Sequence, residues 1–425
     1  MRKAAILFLL IFVSCSSFRP KTQPKSRTCD FGIFWTSWLI IQRDYIKPPV
    51  LNKTLFLASF RAIEEEANQT LPPPEYQNDE EYLPRYAWEY YKDFFGKEPP
   101  VRTCQEMIRS MVGSLQSRHS GYLSPDMMLF REILGQRRGG IGLFFIKNPD
   151  MKTAVIYKVW KGSLAAEAGL AVGDQIIAVD NRSVADFSAG LVDYELRGQI
   201  GAVMMLSVQK TDGRVIQVFL ERENMEKNVH CEDVAKNTAY CALTNFNNGK
   251  TALYLLQAAQ KTSVGKSKRL VIDLRFNHGG KLNQAILAAY LFTGSKTVVI
   301  APKFAHDIAE LEKKFPKDPP FPGTKIIILV NAETASASEI MAGALQDYGL
   351  AKLVGETTYG KGEVQKVVAL DDGSLLIIVS DYWRTPAGRL INNTGFTPDY
   401  PVKMEIPDLL RGEDKQLQKA IELLK

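Results

Sequence analysis

The carboxyl-terminal half of the chain contains Ile326-Ile-Ile-Leu-Val330-Asn-Ala-Glu-Thr-Ala-Ser336-Ala-Ser-Glu339. Its first five residues form an unbroken apolar run, which is typical of a strand buried on both faces of a parallel sheet. Ser336 and Glu339 have the spacing of a capping box, which predicts a helix from Ser336 to Tyr348. A buried strand followed directly by a helix indicates an α/β layer.

The sequence on either side repeats this alternation of strand and helix. A second apolar run, Leu270-Val-Ile-Asp-Leu274, precedes a helical pattern from Gly280 to Thr293. The chain ends in an amphipathic pattern from Gly412 to Lys425, which predicts a closing helix. We therefore expect an α/β core domain over residues 223–425.

A lysine flanked by two glycines lies 25 residues after Ser336, in Val354-Gly-Glu-Thr-Thr-Tyr-Gly360-Lys361-Gly-Glu-Val-Gln365. A serine hydroxyl needs a positioned base to act as a nucleophile near neutral pH. A lysine serves as that base where burial favours its neutral amine. Ser336 alone would be a helix cap, but together with Lys361 it indicates acyl transfer. We expect Lys361 in an apolar pocket, with Gln365 as a neutral acceptor.

Short β-rich runs punctuated by glycine fill residues 131–222 and predict a small, partly open β-barrel. They include Gly139-Gly-Ile-Gly-Leu-Phe-Phe145, a helical Gly162-Ser-Leu-Ala-Ala-Glu-Ala-Gly169, and Val172-Gly-Asp-Gln-Ile-Ile-Ala-Val-Asp180. This order of motifs resembles a PDZ domain of the bacterial protease-associated kind. The resemblance implies strand addition of a peptide whose terminal carboxylate is held by amides of the glycine loop. The residues implied for this carboxylate loop are Gly140, Ile141, Gly142 and Leu143.

The motifs around the serine and the lysine resemble the signature of carboxyl-terminal processing proteases, also called tail-specific proteases. The matching strings are Thr334-Ala-Ser336-Ala-Ser-Glu339 and the segment from Gly355 to Gln365. The resemblance covers nearly everything from Cys29 to Lys425, and it implies an α/β catalytic core related to the crotonase and Clp-protease layers. It assigns Ser336 as nucleophile, Lys361 as general base and Gln365 as the residue that orients the lysine.

Acyl transfer also needs hydrogen-bond donors for the developing oxyanion. The amide of Ala337 at the expected helix start is one candidate. The string Asp273-Leu-Arg-Phe-Asn-His-Gly279-Gly280 resembles the family's Asp-Leu-Arg-x-Asn-Pro-Gly-Gly, and this resemblance implies Gly279 or Gly280 as the second donor. Here His278 replaces the proline.

His278 raises a rival mechanism, a Ser-His pair, because histidine is the commonest general base. Two further function classes stay open. One is a scaffold whose PDZ domain and helices recruit partners while the catalytic layer is silent, and the other is a crotonase-type enzyme acting on small acyl compounds. The sequence contains no metal-ligand pattern, phosphate loop or cofactor fingerprint, so we expect no metal and no cofactor.

The amino terminus carries an export signal. Met1-Arg-Lys is followed by the apolar run Ala4–Val13, which suits a secretory signal and is too short to span a bilayer. Phe12-Val-Ser-Cys15 resembles a bacterial lipoprotein cleavage box, whose cysteine becomes the lipid-bearing residue; ordinary signal peptidase cleavage is the alternative. We expect a signal segment at 1–15, a polar tether at 16–28, and a periplasmic, lipid-anchored protein of the bacterial cell envelope.

Residues 29–130 have a helical pattern and predict an amino-terminal helical region that is a candidate for homo-oligomer contacts. Besides Cys15, the chain has four cysteines whose spacing matches no zinc site: Cys29, Cys104, Cys231 and Cys241. Disulfides joining Cys231 to Cys241 and Cys29 to Cys104 are compatible with export, and free buried thiols are equally compatible with the sequence.

The composition agrees with a multidomain α+β protein. A chain of 425 residues exceeds what one hydrophobic core organises. The net charge of +6 comes from 53 basic and 47 acidic residues that are well mixed. This distribution excludes a nucleic-acid-binding footprint, and the expected partners are protein or peptide substrates with free carboxyl ends.

Overall fold

A computed structural model of the chain describes residues 30–46, 51–128, 139–225 and 228–425. The predicted signal segment with Cys15 and the predicted tether lie outside these residues. None of the helices within the described ranges is long and apolar enough to cross a membrane.

The amino-terminal region is helical, as predicted. Its helices are α1 (Phe31–Asp44), α2 (Asn52–Ala67), α3 (Pro84–Phe95) and α4 (Val101–Ser114). Their apolar faces pack around Phe34, Phe56 and Met107, and the same cluster includes Leu376 and Ile378 from the carboxyl-terminal half. The helical region therefore shares a hydrophobic cluster with the core domain.

A small barrel follows the short strand β1 (Gly121–Leu123), as the sequence predicts. Its elements are β2 (Gly139–Gly140), β3 (Leu143–Ile146), β4 (Ala154–Val159), α5 (Leu164–Glu167), β5 (Gln175–Val179), β6 (Arg182–Ser183), α6 (Ala189–Leu196), β7 (Val203–Gln209), β8 (Val215–Glu221) and β9 (Glu223–Asn224). The main sheet has the order β3-β4-β5-β7-β8, so β3 is an edge strand. Strands β2 and β9 pair with each other, and the chain therefore enters and leaves the barrel side by side.

The core domain is an α/β layer built on one mainly parallel sheet. Its elements are β10 (Val229–Ala235), β11 (Thr238–Leu243), α7 (Thr251–Ala259), α8 (Val264–Ser267), β12 (Arg269–Asp273), α9 (Leu282–Thr293), α10 (Ala305–Lys314), β13 (Lys325–Val330), α11 (Ala337–Asp347), β14 (Ala351–Gly355), β15 (Glu363–Ala369), β16 (Leu375–Tyr382), β17 (Tyr400–Pro401), α12 (Ile406–Leu410) and α13 (Lys415–Leu423). The sheet order is β10-β11-β12-β13-β14-β17. Within this sheet, strands β11, β12, β13, β14 and β17 are parallel to one another, and β10 is antiparallel to β11.

Strands β15 and β16 form a separate antiparallel hairpin, and β1 pairs with the outer edge of β16. This pairing brings the segment before the barrel next to the hairpin whose first strand, β15, follows Lys361. The predicted α+β multidomain class, with a helical region, a PDZ-like barrel and an α/β core, is confirmed.

The cysteines of the core domain are paired. Cys231 of β10 and Cys241 of β11 lie directly opposite each other and form a disulfide. Cys104 is also disulfide-bonded, while its predicted partner Cys29 lies outside the described residues. The free-thiol alternative is therefore wrong for Cys104, Cys231 and Cys241.

Candidate active site

Ser336 stands at the junction between β13 and α11, at the carboxyl end of a central strand. Its φ of 58° is unusual for a residue with a side chain, and such strained residues cluster at functional sites. The junction is held by Thr334, whose hydroxyl donates to the carbonyl of Leu274 (2.8 Å) at the end of the neighbouring strand. Ser336 is half-buried and caps the first turn of α11.

Glu339 joins the serine to the lysine loop. Its Oε2 accepts hydrogen bonds from the amides of Ser336 (2.8 Å) and Lys361 (2.9 Å). Its Oε1 accepts from the amide of Gly360 (2.7 Å) and the hydroxyl of Thr358 (2.6 Å). Complete burial raises the pKa of this carboxyl despite its four donors. The main-chain amides of Ser336 and Lys361 thus donate to the same oxygen atom of Glu339. The capping-box spacing predicted the bond from Ser336 but not the bond from Lys361.

The Lys361 amine is buried, with 4% of the residue exposed. Its Nζ donates to Oε1 of Gln365 (2.9 Å), and its carbonyl accepts from the indole of Trp383 (2.9 Å). Burial lowers the pKa of Lys361 to about 8, against the opposing charges of Glu363 and Glu339. Most of these amines are still protonated at neutral pH, but a minority is neutral and can accept a proton.

Gln365 is oriented by the segment that precedes the barrel. Its Nε2 donates to the carbonyl of His119, and because a carbonyl only accepts, this bond turns Oε1 toward Lys361. The ring of His119 is fixed in turn, with Nδ1 2.5 Å from Oε2 of Glu363. Sequence reasoning did not connect His119 with Lys361, because no local spacing signals a contact between residues so far apart in the chain.

Gly279 lies against the serine. Its φ is +93°, and a Cβ at this position would approach the Ser336 Cβ and the Ala337 nitrogen to 2.8 Å each. The backbone of Gly279 and the first amide of α11 are therefore neighbours. The Gly279 amide donates to Oδ1 of Asn277 (2.9 Å).

Gly280, the other predicted oxyanion donor, faces a different part of the domain. It forms an isolated β-bridge with Phe246, and a Cβ at Gly280 would overlap the main chain of Phe246 and Asn247. The structure thus brings Gly279 to Ser336 and Ala337, and directs Gly280 toward the loop after β11.

His278 lies at the surface of the same loop. Its side chain is 62% exposed, and Nδ1 lies 3.5 Å from Oε2 of Glu333. The imidazole therefore pairs with a surface carboxylate, whereas the Lys361 amine is buried, in a loop whose main chain bonds to Glu339 of the helix that Ser336 caps. This contrast favours lysine over histidine as the base.

The predicted carboxylate loop leads into the edge strand β3. The carbonyl of Gly142 accepts from the amide of Trp160 (2.9 Å) and from the hydroxyl of Ser163 (3.3 Å). Gly142 has a φ of +79°, and a Cβ there would overlap the Ser163 side chain, so only glycine fits. Within the described residues β3 pairs on one side only, with β4. Its other edge has the geometry that strand addition requires.

Comparisons with known proteins identify the family. Residues 237–402 match peptidase family S41, and residues 155–210 match the PDZ domain. The carboxy-terminal processing protease CtpA of Bacillus subtilis (strain 168) is 30% identical over 330 residues, which cover 76% of this chain and 68% of the relative. The carboxyl-terminal-processing protease of Picosynechococcus sp. is 30% identical over 378 residues, 81% of this chain and 89% of the relative. The chain belongs to the carboxyl-terminal processing protease family.

This carboxyl-terminal processing protease also has the fold of a solved S41 protease from Bacteroides fragilis NCTC 9343. The TM-score is 0.53 at 18% identity, with 94% of this chain and 98% of that chain covered. At this identity the likeness shows the fold alone. The protease is a serine peptidase with a PDZ domain, and its substrates are peptides or proteins. The predicted family and enzyme class are confirmed.

Proposed function

We propose that this protein is an exported serine endopeptidase that binds the carboxyl end of a protein in its PDZ groove and cleaves that protein by a Ser-Lys mechanism. One observation carries the proposal: the buried Lys361 amine is hydrogen-bonded to Gln365 and lies in a loop that shares Glu339 with the Ser336 amide.

In this mechanism the hydroxyl oxygen of Ser336 attacks the scissile carbonyl while Nζ of Lys361 removes its proton. Gln365 takes one N–H of the amine, which leaves the nitrogen lone pair available to accept the serine proton. The resulting ammonium then protonates the leaving amine, and the C–N bond breaks to give an ester on Ser336. Water, deprotonated by the regenerated Lys361 amine, hydrolyses that ester and restores the serine.

The oxyanion of each tetrahedral intermediate is stabilised by the Ala337 amide at the start of α11. Gly279 is the second donor in this proposal. Its amide now donates to Oδ1 of Asn277, so it has to turn from that oxygen toward the substrate when the oxyanion forms. The proposal uses Gly279 rather than Gly280, because Gly280 faces Phe246.

Substrate capture is assigned to the loop from Gly140 to Leu143 and the free edge of β3, which offer amides for a terminal carboxylate and for an added strand. The export signal and Cys15 support a lipid-anchored location in the periplasm, where envelope proteins are the substrates. Intact mass of the mature protein, wild type against Cys15→Ser, tests the anchor. Self-association through the helical region stays a prediction, which the molar mass of the protein measured by light scattering tests.

The decisive experiment measures cleavage of an unfolded protein that carries an apolar tail. We expect Ser336→Ala and Lys361→Ala to lose at least about a thousandfold in kcat, as catalytic residues that act as a unit do. His278→Ala is the matched control and retains most of the activity, because its ring lies at the surface. A loss in His278→Ala with Lys361→Ala still active would contradict the Ser-Lys assignment.

The same assay tests tail recognition. Amidation of the substrate's terminal carboxylate removes the charge that the glycine loop binds, so we expect KM to rise while kcat stays close to its original value. Equal KM values for the free and amidated tails would remove the PDZ groove from the proposed function and leave the catalytic assignment untouched.

A further inference from the structure

The loop that carries Gly279 contains a strained residue. Leu274 to Asn277 form a turn in which the Asn277 amide donates to the Leu274 carbonyl (3.2 Å). Phe276, the third residue of this turn, has a φ of 59°. That position requires positive φ in a type II turn and favours glycine or asparagine. A bulky aromatic residue is therefore retained here against its backbone preference.

The side chain of Phe276 contacts the PDZ domain. Its ring centroid lies 4.7 Å from that of Tyr157, a buried residue of β4. The two rings belong to an apolar cluster at the domain boundary that also includes Val155 of β4 and Leu409 of α12. Aromatic pairs at this separation stabilise a contact beyond the area that they bury. The PDZ domain thus supplies the aromatic contact to the strained residue, whose amide also donates to Oδ1 of Asn331 (3.0 Å).

The residue after Phe276 connects the turn to the catalytic groups. Oδ1 of Asn277 accepts from the Gly279 amide (2.9 Å), and its carbonyl accepts from the Ala335 amide (3.0 Å) and the Ser338 hydroxyl (2.9 Å). Asn277 is completely buried, so a movement of the turn displaces these partners with it. Phe276 therefore lies one residue from the group that positions both Gly279 and the start of α11.

We infer that Tyr157 and Phe276 are positioning residues for the oxyanion side of the site: the PDZ domain holds the strained turn, and the turn places Asn277 and Gly279. The inference rests on the proposed function, because it concerns the donors that Ser336 chemistry requires. It assigns Tyr157 a role in kcat that is independent of tail binding, since the contact involves β4 and not the peptide edge of β3.

The experiment uses the full chain and a short peptide substrate with an amidated end, so that tail binding does not contribute. We expect Tyr157→Leu to lower kcat about tenfold with little change in KM, because a loop displaced by a fraction of an ångström misplaces its donors. Tyr157→Phe keeps the ring and keeps kcat. Adding Phe276→Gly to Tyr157→Leu restores most of the lost kcat, because glycine adopts the positive φ without support.

Rescue by glycine is the outcome that a purely structural role for Tyr157 does not produce. A double variant with kcat as low as Tyr157→Leu, or lower, would overturn the inference, as would an unchanged kcat in Tyr157→Leu. If Tyr157→Leu fails to fold in a thermal melt, Tyr157→Met with and without Phe276→Asn repeats the test, since asparagine also accepts positive φ. Cleavage that survives in Ser336→Ala would instead overturn the proposed function and this inference with it.

Discussion

Burial lowers the pKa of Lys361, and under the proposed mechanism this makes activity depend on pH in a defined direction. The pKa of its amine is lowered to about 8, and only the neutral amine can take the serine proton. We therefore expect kcat/KM to rise with pH and to reach half its maximum near that value. A pH profile of peptide cleavage measures it, and a rate that falls as pH rises through 8 would contradict lysine as the base.

The neighbouring carboxylates modulate that midpoint. Glu363 and Glu339 both raise the pKa of Lys361 by their charge, and Glu363 also pairs with His119. Glu363→Gln removes one negative charge, so the pKa of Lys361 falls. The rising limb of the plot of kcat/KM against pH therefore moves to lower pH. Glu333→Gln, a surface change near His278, is the control with an unmoved limb. A limb that stays in place in Glu363→Gln would show that Glu363 has no electrostatic role.

The sequence pointed to Lys361 and Gln365 because the motif that contains both resembles the signature of the family. It could not find His119, Asn277 or Phe276 as neighbours of the chemistry. His119 reaches Gln365 through pairing of β1 with the hairpin, and Phe276 reaches Tyr157 across a domain boundary. These contacts exist only after distant segments pack, so no local pattern encodes them.

At the scale of elements, α11 is tied to the lysine loop by a single buried carboxylate. Both carboxylate oxygens of Glu339 accept hydrogen bonds, four in total. Glu339→Gln replaces one of these oxygens with an NH₂ group, which cannot accept, so some of the four donors lose their partner. Each buried donor left without a partner costs about 1–3 kcal/mol. We expect a lower free energy of unfolding and a lower kcat together, measured by urea denaturation and peptide cleavage.

Gln346, a half-buried residue of α11 that bonds to Asp399 and Arg389, provides the matched comparison. Gln346→Glu changes the same helix by one charge near its carboxyl end, without touching the lysine loop, and leaves kcat nearly unchanged. A Glu339→Gln protein with wild-type stability and kcat would mean that the carboxylate is dispensable for joining the two loops.

The elements themselves were predicted where their signal is local. The apolar run of β13 and the capping box of α11 gave both elements to within a residue or two. The β15–β16 hairpin was not assigned, because its burial depends on helices far upstream in the chain. Leu376 and Ile378 are buried in the cluster that the amino-terminal helices form, and their sequence alone does not show it.

At the scale of the molecule, the helical region packs against the hairpin of β15 and β16, and we expect the two to unfold together. Asp44 of α1 pairs with Lys366 of β15 (3.0 Å), and the Ile46 amide donates to the Val379 carbonyl of β16 (3.0 Å). The strand β15 also carries Gln365. Loss of packing among the helices should therefore reach the residue that orients the general base.

Met107→Ala tests this coupling. Met107 is completely buried in α4, and truncation of such a side chain costs about 2–5 kcal/mol. We expect the free energy of unfolding to fall by that amount and the cleavage activity to disappear in the same denaturant range as the helical signal. Leu39→Ala, at a residue of α1 that is 48% exposed, is the control. Activity that outlasts the helical signal in urea would contradict a shared core.

The two-stranded stem formed by β2 and β9 has a consequence for how such proteins diversify. Because Gly139 and Gly140 stand opposite Asn224 and Glu223, the polypeptide crosses into the recognition module and back out at adjoining points. A domain attached in this way is exchangeable. Another peptide-binding domain whose two termini lie close together can be inserted at the same pair of strands without distorting the rest of the protein. Any such transplant must bring its own aromatic partner for Phe276, or the recipient core domain must carry glycine at that position.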